Sequence, residues 1–141
     1  MAEFTTNALQ TVEVNQNILF TETPVCGNNS IVHREGSGLV TLRGITSGQC
    51  RARFRVTFGA NIAVPDGGTA GPISVAIAIN GESVQSTTMI VTPAAVEEFF
   101  NVSSNVYIDV PTCCCLQVSV QNTSDQAISV QNANLLVDRV A

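Results

Sequence analysis

This 141-residue chain contains no lysine and no tryptophan, one tyrosine, one histidine and only 12% charged residues. Each shortage narrows what the chain does. Soluble domains carry about 25% charged side chains, so the low value leaves little polar material to cover a surface. It points to part of that surface being buried in an oligomer or a larger assembly. The six basic residues are all arginine and are outnumbered by eleven acidic ones, for a net charge of −5. That balance opposes general nucleic-acid binding, which needs basic surface to neutralise phosphates. Without a run of about 18 apolar residues, no membrane-spanning helix is expected. The opening MAEFTTNALQ has neither a basic n-region nor an apolar h-region, so a signal peptide is not expected.

Catalytic material is equally scarce. His33 lies beside Arg34 and Glu35 in a short strand candidate, and no G-x-S-x-G elbow accompanies it. A lone histidine there reads as a surface or hydrogen-bonded structural residue. Asp66, Glu97, Glu98 and Asp109 read as solvated loop and strand charges. Five cysteines, Cys26, Cys50 and the run Cys113-Cys114-Cys115, make an odd count with a spacing that suits no disulfide framework. Adjacent cysteines on a strand point to opposite faces and do not clamp one zinc ion. Buried thiols acting as small hydrophobes are the first reading. A disulfide, within a chain or between chains, is the alternative. No enzyme activity, cofactor or metal is expected.

What the chain does have is alternation. Ala52, Phe54, Val56 and Phe58 alternate with Arg51, Arg53, Arg55 and Thr57, the period of a strand with one face in a core. The arginines then form a cationic stripe that is a candidate contact for an acidic partner. Pro65-Asp66-Gly67-Gly68 predicts a turn. Val75, Ile77 and Ile79 alternate with Ala76 and Ala78, as in a strand buried on both faces. Asn80-Gly81 predicts a tight hairpin. Further strands are expected at 106–110, 116–120 and 127–140, the last kinked near Asn132-Ala133-Asn134. Segment 23–30 reads as a loop, and 93–98 as at most one helical turn. Residues 1–10 are read as a flexible arm, or an element ordered only against a neighbour, ahead of a single domain at 11–141. About eight to ten short strands and no convincing amphipathic helix indicate an antiparallel β-sandwich, most consistent with a jelly roll.

The chain resembles the trimeric jelly rolls of the C1q/tumour-necrosis-factor type, above all the bacterial versions that cap collagen-like spore-surface proteins. Their G-x-Y-R-V-x-F strand is matched by residues 49–58, and their x-I-x-I-N-G hairpin by residues 76–81. Their V-x-V-x-x-G-D-x-L-x-V-x-N segment is matched by 106–122, with Thr112-Cys113-Cys114 replacing the Gly-Asp turn. Their terminal strand is matched by 134–140. The chain also looks like small structural proteins encoded beside phage capsid genes. Together these resemblances imply a homotrimer made in the bacterial cytoplasm and located on the virion, decorating a phage head through contacts with the major capsid protein or other virion proteins. Val75, Ala76, Ala78, Phe99, Phe100 and Tyr107 are the candidate subunit interface. A receptor- or carbohydrate-binding tip using loops 21–30 and 59–72 is the alternative.

Overall fold

The computed structural model describes residues 1–27 and 29–141. Twelve strands run in the order β1 (Ala2–Thr6), β2 (Gln10–Val12), β3 (Glu22–Val25), β4 (Ile31–His33), β5 (Val40–Arg43), β6 (Arg51–Ala63), β7 (Ile73–Ile79), β8 (Glu82–Ser83), β9 (Met89–Val91), β10 (Phe100–Pro111), β11 (Cys115–Asn122) and β12 (Ile128–Arg139). They form two antiparallel six-stranded sheets. The first has the order β10-β6-β12-β1-β3, with β2 also on β12. The second has the order β4-β5-β11-β7-β8, with β9 also on β7. Facing each other, the sheets make the expected β-sandwich. Among the described residues no helix is long and apolar enough to cross a membrane.

The alternation read from β6 holds along its length. Ala52, Phe54, Val56, Phe58 and Ile62 are fully buried, and their neighbours face outward except at the end of the strand, where Ala63 is buried as well. Phe20 meets Phe58 edge-on, with ring centroids 6.5 Å apart, and Ile77, Leu42 and Leu135 close the interior around them. Asn80 and Gly81 both have positive φ, 53° and 85°, and join β7 to β8 in a two-residue turn whose twist matches its strands. Gly67, at φ 89°, lets Gly68 N–H donate back to the Pro65 carbonyl. In β12 the pairing to β6 shifts between Gln131 and Asn134, with Asn132 at φ 56°, so the kink expected there is a β-bulge. It divides the strand's other edge as well: β2 pairs with residues 128–130 and β1 with residues 133–137.

Several expectations fail locally. Residues 1–10 are not a flexible arm, because β1 lies between β12 and β3 with Ala2, Phe4 and Thr6 buried in the same chain. Segment 23–30 is not all loop, since Glu22–Val25 forms edge strand β3. Among the described residues the one helical turn, a 3-10 turn, falls at Gln85–Thr87 and not at 93–98. There the Thr87 hydroxyl lies 3.0 Å from the Ile77 N–H and accepts from it, replacing a ladder bond where β8 and β9 separate. Short added strands bring the count among the described residues to twelve.

Asn122 is completely buried and ties three segments together. Its Nδ2 donates to the carbonyls of Val12 (3.0 Å), Glu13 (3.3 Å) and Gln126 (3.0 Å), while its Oδ1 accepts from Ser124 N–H. Asn122→Ala strands those groups without partners. A loss of about 2–3 kcal/mol in urea unfolding is expected, whereas a loss below 0.5 kcal/mol would mean that water replaces the amide at little cost.

Candidate functional site: the outer face and free edge of β10

Strand β10 pairs with β6 without a register break from Phe100↔Ile62 to Pro111↔Arg51. Its inward row, Val102, Ile108 and Val110, joins the core. The outward row, Asn101, Ser103, Asn105, Tyr107 and Asp109, lies beside the outward row of β6. Tyr107 is 63% exposed opposite Arg55, and Phe99 and Phe100, at the start of the strand, keep over a third of their surface.

The arginine stripe lies on this face and carries its counter-charges with it. Arg53 grips Asp109 with two bonds, Nε to Oδ1 at 2.7 Å and Nη2 to Oδ2 at 3.1 Å. Arg51 Nε reaches the same carboxylate at 3.1 Å. Arg55 lies 3.6 Å from Asp138, whose other oxygen is 4.0 Å from the N-terminal ammonium. Cross-strand register explains the pattern: Asp109 stands opposite Arg53 on β10, and Asp138 opposite Arg55 on β12. Beside the stripe, Arg53, Tyr107, Asp109, Val140 and Ala141 line a shallow depression of about 410 Å³.

Hydrogen bonding to Arg53 holds the Asp109 carboxyl below its ordinary 3.8, helped by the charges of Arg53 and Arg51. Because the folded value is depressed, the pair contributes stability above the unfolded value. That contribution is lost as pH falls through the folded value. Both groups are solvent-exposed, so the effect on the fold is small. Titrating Asp109 by carboxyl NMR should give a midpoint below 3.8, and Arg53→Gln should raise it. An unmoved midpoint in the variant would show that the fork does not persist in solution.

Other expected site residues fall elsewhere. Val75, Ala76 and Ala78 cannot form a subunit interface, because all three are fully buried inside the single chain. Val75 points into the core, and the two alanines on the opposite side of β7 are equally covered. The cysteines are the reverse case: read as buried thiols, all five are exposed and free. Four of them sit in or next to turns beyond the sheet ends, where no core reaches. Of the loops expected to bind a ligand, residues 59–63 belong to β6 and 22–25 to β3, while residue 28 lies outside the described residues. Within what remains, the stretch 65–69 is clamped by Gln126 through Thr69 and borders a depression of about 500 Å³.

His33 has a structural environment. Its ring lies 4.5 Å from Phe4 and 6.4 Å from Phe20, and Nε2 is 2.9 Å from the Ser37 carbonyl. A carbonyl only accepts, so the proton sits on Nε2. Nδ1 is buried with no partner among the described residues, so no carboxylate orients the ring. Those residues also hold no grouping of three or more His, Cys, Asp or Glu side chains suited to a metal ion.

The two packed sheets have a jelly-roll fold like that of C1q and tumour-necrosis-factor domains. The globular domain of zebrafish complement 1qA superposes with a TM-score of 0.63 at 11% identity, over 96% of this chain and 94% of that one. Eiger TNF from S. frugiperda superposes with a TM-score of 0.70 at 12% identity, over 99% and 91%. At such identities the likeness establishes the fold and nothing finer. No protein-family model and no curated protein sequence matches the chain.

Proposed function

We propose that this chain is a non-enzymatic structural protein that assembles as a homotrimer through β10 and decorates the surface of a phage head. One observation carries the assembly: β10 is a long sheet edge whose stretch from Asn101 to Ile108 has none of the usual protection, Asp109 and Pro111 standing only at its far end. Twelve residues of strand span roughly 40 Å, and an open edge of that length invites pairing with another chain unless charge, proline or a bulge blunts it. From Asn101 to Ile108 the strand has no charge, no proline and no register shift. The opposite edge, β3, is four residues long, contains Pro24 and Glu22, and pairs across an irregular register. In the second sheet the edge strands β4, β8 and β9 have two or three residues each. An edge left unguarded alongside Tyr107, Phe99 and Phe100 is best explained by cover from another copy.

The cover we propose is cyclic. The β10 edge and the outer face behind it are different surfaces, so contact between copies is heterologous and closes as a ring. Three copies of a C1q/TNF-type jelly roll close it. The partner beyond the trimer is a capsid protein, in keeping with a charged fraction of only 12% and an acidic surface unsuited to nucleic acid. Light scattering of the purified chain should give three times 14.8 kDa, about 44 kDa. The trimer should also co-sediment with phage heads stripped of their decoration. A monomer at micromolar concentration overturns the assembly. A trimer that ignores heads but binds a glycan array through the depression at 65–69 supports the binding-tip reading instead.

A further inference from the structure

Cysteines Cys113, Cys114 and Cys115 occupy the turn that continues β10 into β11, and nothing above gives them a task. Free cysteines rank among the most buried residues of proteins, yet here three adjacent ones are exposed. Their backbone is held firmly. Thr112 N–H donates to the Cys50 carbonyl at 3.0 Å, and Cys114 N–H to the Pro111 carbonyl at 3.0 Å. Gly44 exchanges two bonds with the turn: its N–H donates to Cys114 at 2.8 Å, and its carbonyl accepts from Cys113 at 3.1 Å. A side chain at Gly44 has no room, since a Cβ there would lie 2.1 Å from the Pro111 carbonyl oxygen. Cys113 itself adopts φ 64°, a left-handed conformation that glycine or asparagine takes more readily. A pinned turn that keeps cysteine at a glycine-type position presents its thiols outward at a conformational cost.

We infer that this turn is a covalent latch between copies, closed by disulfides that join the cysteine turns of neighbouring subunits. The inference rests on the β10 assembly proposed above. Because the turn directly continues β10, copies that associate along that strand bring their cysteine turns to one end of the shared interface. The number of cysteines suits a ring. Three chains with one thiol each can form a single bond and leave one chain unlinked, whereas a closed ring needs two different cysteines per chain. The triplet supplies them. Adjacent cysteines have Cα atoms about 3.8 Å apart, below the usual span of a disulfide, so bonding between neighbours within the triplet is disfavoured and bonding between copies is not.

The chemistry balances with a small disulfide such as oxidised glutathione as the oxidant. A triplet thiolate attacks it, forms a mixed disulfide and releases one glutathione thiol. A thiolate of the neighbouring copy then attacks the protein sulfur and releases the second. For each bond formed, two protein thiols lose two protons and two electrons, and one glutathione disulfide becomes two thiols.

The test uses the full chain carrying Cys26→Ser and Cys50→Ser, weighed first in reductant and then treated with oxidised glutathione. On a non-reducing denaturing gel the expected product is a covalent trimer of about 44 kDa, three times 14.8 kDa, returned to 14.8 kDa by dithiothreitol. Adding Cys114→Ser and Cys115→Ser leaves one triplet thiol per chain and should cap the product at a covalent dimer. A reduced trimer that yields only glutathione-capped monomers overturns the latch and leaves the assembly standing. A ladder extending beyond three chains overturns the closed ring. A reduced chain that stays at 14.8 kDa overturns the β10 assembly itself.

Discussion

Tyr107→Glu is expected to turn the proposed 44 kDa trimer into a 14.8 kDa monomer without unfolding it. In the single chain this side chain is 63% exposed on the outer face, opposite Arg55 and two residues along the strand from the Arg53–Asp109 pair. A glutamate there stays hydrated and faces an arginine, so the isolated fold loses little; exposed substitutions usually stay within about 0.5 kcal/mol. In the proposed trimer the balance reverses: the aromatic contact is lost and a carboxylate is pressed into a desolvated interface. Truncating an aromatic anchor at an interface costs about 2–4 kcal/mol, roughly 30- to 1,000-fold in association. Light scattering reads the mass, and a thermal melt checks that the fold survives. Tyr107→Phe, which keeps the ring, should remain assembled. A Tyr107→Glu chain that still weighs 44 kDa would move the interface away from this face.

Removal of residues 2–6 is expected to destabilise the domain severely, the second large effect. A flexible arm would come off silently. Strand β1 instead holds β3 onto β12, with Phe4 2% exposed and its ring 4.5 Å from that of His33. Losing a buried phenylalanine side chain alone costs about 3–5 kcal/mol, against a total stability of about 5–15 kcal/mol. The truncated chain should therefore unfold at far lower urea or be recovered insoluble. Phe4→Ala keeps the backbone pairing and should show an intermediate loss. Near-wild-type unfolding of both variants would falsify the assignment of β1 to the core.

The strands legible in the sequence were those whose alternation is long and high in contrast. In β6 large apolar residues alternate with arginines, so one face was unmistakable. Asn80-Gly81 and Pro65-Asp66-Gly67-Gly68 were legible because few residues accept positive φ, and those that do mark turns. Strand β1 was missed because Ala2, Phe4 and Thr6 offer a single large side chain among small and polar ones. Strand β3 was missed because Pro24 reads as loop, although a sheet edge tolerates it. Phe99, Phe100 and Tyr107, named as interface candidates, kept over a third of their surface in the single chain. Val75, Ala76 and Ala78 did not, because alternation between large and small residues reports two buried faces and cannot say whether the second is covered by the chain itself or by a partner.

The sequence by itself determined the all-β class, the positions of the main turns and the inward row of β6, since these depend on neighbours two to four residues apart. Tertiary structure decided the rest. Pairing 50 to 130 residues distant placed Asp109 and Asp138 opposite the arginines, drew the N-terminal segment into the first sheet, and left β10 rather than β7 at an open edge. It also set the cysteine turn outside the core, pinned to Gly44. Local periodicity dictates which way a side chain points relative to its own strand. Only the order in which strands join a sheet decides what that side chain then meets.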